Sequence, residues 1–116
     1  MMSWLIAHLV GDFLLQNDWM AQGKKHSSWI CTAHVAAYML PFLLIGLAWW
    51  QLALIAIQHW VQDRWTFVAW FMQATGKQTF AEPPLAPWSH IVVDNTLHLA
   101  WIGLVVWAGN HLPNFA

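Results

Sequence analysis

The sequence predicts an all-α fold, a four-helix transmembrane bundle whose first helix is short or tilted, and three features predict it. Hydrophobic residues make up 59% of the chain and charged residues 8%, whereas a soluble domain carries about a quarter of its residues as charges. Four apolar segments alternate with three stretches holding nearly all the remaining charge and proline. Eleven Trp and six Phe against one Tyr suit the lipid headgroup level, where amphipathic rings settle. Trp49, Trp50, Trp70, Trp88 and Trp107 lie near the ends of apolar runs.

The first segment runs from about Ser3 to Gln16. At 1.5 Å per residue it spans roughly 20 Å against a hydrocarbon core of about 30 Å, hence the expected tilt or short stop. It lacks the basic start of a secretory signal and is interrupted by His8 and Asp12, so it reads as retained structure. The stretch NDWMAQGKKHSS reads as a loop, with Ser27 or Ser28 capping the next helix. Segment two, Trp29 to Trp50, is long enough to span; Pro41 inside it removes a backbone hydrogen bond and predicts a kink. Segment three, about Gln51 to Ala74, follows directly, so the two form an antiparallel hairpin. TGKQTFAEPPLAP breaks the pattern, and Trp88 to Leu112 is the fourth helix. No repeat or low-complexity segment divides the chain, which reads as one membrane-embedded domain, 1–116.

Lys24, Lys25 and Lys77 fall in the first and third loops, which the positive-inside rule assigns to the cytoplasm. The location expected is a multi-pass protein of a bacterial, or phage-infected host, inner membrane, with the bilayer as partner and a homo-oligomer allowed. A net charge of −1 with four Lys plus Arg supplies no patch able to neutralise several phosphates, which excludes nucleic acid as a partner. Cys31 is alone, so there is no intrachain disulfide and no Cys-pair metal site; it reads as a small buried apolar residue.

The functional signal is a spacing. His8 and Asp12, His59 and Asp63, and His90, Asp94 and His98 are each four residues apart and so share a helical face. Seven His and four Asp in 116 residues would give roughly 0.5 such pairs by chance, and the sequence has four. An ionisable group at membrane depth is costly and faces the protein interior, paired or liganded. His34, about one and a half turns into segment two, reaches the same depth. The predicted metal ligands are therefore His8, Asp12, His34, His59, Asp63, Asp94 and His98, with His34 and Asp63 also the predicted acid/base groups. Imidazole nitrogen and carboxylate oxygen suit a divalent ion, Zn²⁺ first, with Mn²⁺ or Fe²⁺ as alternatives. Seven candidates exceed one tetrahedral shell, which leaves two metals, or one with supporting partners. The bland alternative is that these side chains only hydrogen-bond across helices, at about 1 kcal/mol per contact.

Other residues carry less. His26 and His111 lie where solvated His is expected. His90 shares the face of Asp94 nearer the interface and stands between ligand and bystander. Tyr38, four residues after His34, either orients a ligand or packs. Arg64 binds an anionic group or snorkels. Gly11, between His8 and Asp12, permits close helix approach.

HLVGDFLLQNDWMA at 8–21, His34 with Tyr38, HWVQDRW at 59–65 and DNTLHL at 94–99 together resemble a family of small bacterial and phage membrane proteins classed as domain of unknown function 3307. The resemblance covers roughly Trp4 to Leu99. It implies membrane location and shared positions, and supplies no reaction; Asn95 stands where family members carry Gln. More distantly, the pattern is similar in style to membrane-bound metal-dependent hydrolases. The function expected is a metal-dependent hydrolase of a phosphoester or lipid-linked substrate. Alternatives are a non-enzymatic, holin-like or regulatory helical bundle, or metal or proton transport. Haem ligation fits the accompanying aspartates poorly.

Overall fold

The computed structural model describes residues 2–65 and 67–111, and their regular structure is entirely helical. The predicted C-terminal end of the fourth helix, Leu112, lies outside these residues. The first segment begins as α1 (Met2–Leu9) and widens into a π-helical turn over Val10–Leu14, closed by Leu15 N–H donating to Val10 O at 3.0 Å. Such turns recur where a helix re-aims a functional side chain, and this one carries Gly11 and Asp12, both buried.

A short helix, α2 (Asp18–Gly23), occupies part of the predicted loop. Asn17 Oδ1 accepts from Met20 N–H at 2.9 Å and caps it. Ser27 caps α3 (Ser28–Met39), its Oγ accepting from Ile30 N–H at 3.3 Å. Ser27→Ala is expected to lower the unfolding free energy by about 1 kcal/mol, read as a lower thermal midpoint.

Two breaks separate the structure from the four-span bundle expected above. Pro41 does more than kink its helix: α3 stops at Met39, a 3-10 turn covers Pro41–Leu44, and Gly46 at φ 78° turns the chain. α4 (Trp49–Arg64) then ends where Trp65 becomes extended, and α5 (Phe67–Ala74) forms separately. The sixteen residues of α4 reach about 24 Å, short of a hydrocarbon core of about 30 Å. Only α6 (Trp88–His111), with 24 residues, is long and apolar enough to cross a membrane among the described helices. The four-span transmembrane bundle is thus corrected to six α-helices with one candidate span. The multi-pass placement loses its basis with it.

α1, the 3-10 turn, α3, α4 and α6 pack around Ala7, Tyr38, Phe42, Trp50, Ile55, Ile102 and Val105. Continuous with this apolar core the interior turns polar. His8, Asp12, His34, His59, Gln62, Asp63 and His98 are all buried, and all but Asp12, which the π turn carries, project from helices that also supply the core.

Candidate metal centre

Three elements bring four ligand-type atoms to one point. The π turn contributes Asp12, α3 His34, α4 His59 and Asp63, and all four side chains are buried. His34 Nε2 stands 3.1 Å from Asp63 Oδ2 and 3.4 Å from Asp12 Oδ1; His59 Nε2 stands 3.0 and 3.7 Å from the same atoms. The two Nε2 atoms are 3.1 Å apart. A tetrahedral ion with ligands at about 2.0–2.1 Å has ligand–ligand edges of about 3.3 Å, so the spacing is that of a coordination shell. Asp12 Oδ1 is buried and accepts no hydrogen bond, an expensive state for a carboxylate oxygen without a cation beside it. The cluster could therefore hold a metal ion.

A second group, Asp12, Asp94 and His98, abuts the first. His98 Nε2 is 3.2 Å from Asp63 Oδ1 and 3.6 Å from Asp94 Oδ1. The His59 ring stacks on Tyr38 at 3.7 Å and on His98 at 3.9 Å between centroids, so the His59 imidazole is held on both sides.

His8 is placed beside the cluster with both ring nitrogens engaged elsewhere. Asn95 donates its amide N–H to Ile91 O at 2.8 Å, which leaves its Oδ1 as the acceptor for His8 Nε2–H at 2.8 Å. His8 Nδ1 then accepts from the Tyr38 hydroxyl at 2.7 Å. Its Nε2 lies 4.0 Å from Asp12 Oδ2. The geometry therefore brings all seven predicted residues into one interior cluster, but turns the His8 nitrogens toward Asn95 and Tyr38.

Lys24, Gln58, Gln62 and Asn95 are the site residues that sequence reasoning missed. Lys24 Nζ reaches Asp63 Oδ2 at 3.1 Å. Burial alone would lower its pKa, but the Asp63 and Asp12 carboxylates outweigh that and hold the ammonium above its ordinary value. Gln62 Nε2 donates to the Asp94 carboxylate at 2.8 Å and to its backbone carbonyl at 3.0 Å. Gln58 and Gln62 repeat the four-residue step of His59 and Asp63 one position earlier, the one signal that could have found them. Among the remaining candidates, His90 contacts Ala81 O through Nε2 at 2.9 Å and Arg64 braces Ser28 Oγ and Lys25 O at 3.0 and 2.8 Å. Cys31 is buried against Trp60 O.

The family model described as protein of unknown function (DUF3307) matches residues 1–114, and the chain belongs to that family. No curated protein and no solved structure matches the chain.

Proposed function

We propose that this member of the DUF3307 family is a membrane-attached, metal-dependent hydrolase of a phosphoester, with Asp12, His34, His59 and Asp63 holding a divalent ion, Zn²⁺ by preference. The observation that carries the reading is the 3.0–3.7 Å spacing of the two Nε2 atoms from each other and from one oxygen of each aspartate, close to the edge lengths of a small coordination polyhedron. Two nitrogens and two oxygens without thiolate suit Zn²⁺, Mn²⁺ or Fe²⁺. Such an ion supplies an activated water and stabilises charge developing on phosphoryl oxygens.

The substrate class follows from the adjoining cavity of about 330 Å³, lined by Lys24, Lys25, His90 and Asp94 on its polar side and by Val68 and Ile91 on its apolar side. Ammonium groups beside a metal-ligating carboxylate favour an anionic ester, and the apolar wall favours a hydrocarbon substituent. Membrane attachment is supported by the length and hydropathy of α6 and by bare apolar side chains: Leu44 is 86% exposed, Leu14 76%, Trp49 74% and Trp29 73%. Patches of that kind are covered by lipid or by protein.

The test is elemental analysis of purified protein, followed by hydrolysis of p-nitrophenyl phosphate and bis-(p-nitrophenyl) phosphate after chelation and Zn²⁺ or Mn²⁺ reconstitution. Bound metal, and an activity that disappears with chelator and returns with the ion, is the expected result. A protein that takes up no transition metal overturns the reading and favours a purely structural bundle.

A further inference from the structure

We propose that the centre is binuclear: a second divalent ion is held by His98 Nε2, Asp94 and the outer oxygens of Asp12 and Asp63, which bridge the two ions. This rests on the metal-dependent reading above and deepens it.

The two oxygens of Asp63 face different partners. Oδ2 is turned to His34 and His59 at 3.1 and 3.0 Å, while Oδ1 is turned to His98 Nε2 at 3.2 Å. A carboxylate splitting its oxygens between two sets of imidazole nitrogens has the arrangement of a bridging ligand. Asp12 likewise belongs to both groups of potential ligands, its Oδ1 lying 3.4 Å from His34 Nε2. Asp94 completes the second set at 3.6 Å from His98 Nε2.

A chain of hydrogen bonds fixes which nitrogen of His98 carries a proton. The Asp94 backbone carbonyl can only accept, so Gln62 presents its amide nitrogen there, at 3.0 Å. The Gln62 amide oxygen must then face Gln58, whose nitrogen donates to it at 2.6 Å. That leaves the Gln58 oxygen facing His98 Nδ1 at 3.3 Å, and only an Nδ1–H satisfies it. In the neutral ring Nε2 is then a bare lone pair aimed at two carboxylate oxygens. Lone pairs so opposed repel unless a cation lies between them, and buried imidazoles whose other nitrogen is fixed by a hydrogen bond are the usual form of a metal-ligating His. Two divalent ions against three carboxylates and the Lys24 ammonium leave a net charge of about +2, the complement of a phosphate monoester dianion in the adjoining cavity.

The experiment titrates the metal-free protein with Mn²⁺, following stoichiometry and the low-temperature electron paramagnetic resonance spectrum. Uptake of about two equivalents, with the exchange-coupled multiline signal of ions about 3.5–4 Å apart, is expected. Asp94→Ala should retain one equivalent with the six-line signal of an isolated ion. Gln58→Met, which leaves every ligand in place, should weaken the second equivalent about 10–100-fold and leave the first unchanged. One equivalent with an isolated-ion signal in the unaltered protein overturns the second site while sparing the first. No uptake at all overturns the metal reading itself.

Discussion

Asp63→Asn is expected to abolish tight metal binding and to lower the stability of the metal-free protein by about 3 kcal/mol, the cost of stripping one partner from a buried ion pair. The side chain is 1% exposed, and its two oxygens contact His34, His59, His98 and Lys24 between 3.0 and 3.2 Å. Asparagine keeps the shape but loses the charge, leaving the Lys24 ammonium, itself only 13% exposed, facing a neutral amide. Two melts separate the effects. Metal-free, the variant should unfold at a lower temperature than the parent. With saturating Zn²⁺ the parent should gain stability in proportion to the logarithm of metal concentration, as any ligand of the native state provides, while the variant gains nothing. A variant that still gains the full metal-dependent increment would remove Asp63 from the coordination shell.

The contrast between Asp63 and Lys24 marks how far the sequence could be read. Asp63 was visible because His59 lies four residues before it on a helix, and helical spacing is local information. Lys24 lies beyond α2 and is brought to Asp63 by the way the α2–α3 connection folds back over α4. As a sequence it is one of two adjacent lysines in a loop, a pattern that speaks only to membrane orientation. The same distinction explains His8, whose pairing with Asp12 was legible while its capture by Asn95 and Tyr38 depends on how α1, α3 and α6 pack.

The all-helical class followed from apolar periodicity, but the number of spans did not. Apolar runs report which residues avoid water and say little about where a helix ends within them. Pro41 signals a disturbance, yet whether a proline kinks a helix or terminates it depends on whether neighbours repair the lost hydrogen bond. Here the backbone tightens to a 3-10 turn instead. At Trp65 nothing in the residue type announced a break: Arg64 bracing the start of α3 and Lys25 Nζ donating to the carbonyls of Asp63 and Trp65 are tertiary contacts that end α4 from outside.

Gly11→Ala should be the most damaging change that removes no chemical group. A Cβ there would meet the Tyr38 carbonyl oxygen and Cδ1 at 2.7 Å each, well inside contact distance, and the carbonyl belongs to the α3 backbone. The π turn would have to move away from α3, at a cost of about 1–3 kcal/mol for overpacking. Asp12 is the next residue and Tyr38 holds the His8 nitrogen, so the displacement opens the metal centre from the side where Asp12 enters it. Metal affinity should fall with stability, although the substituted side chain touches no ligand. Gly103→Ala is the control: its Cβ would meet only the Trp4 ring, at 3.6 Å or more, and the helix gains up to about 1 kcal/mol from replacing glycine. Thermal melts with and without Zn²⁺ on both variants distinguish the steric claim from a general intolerance of added methyl groups. Equal behaviour of the two would show that the close approach at Gly11 does not position Asp12.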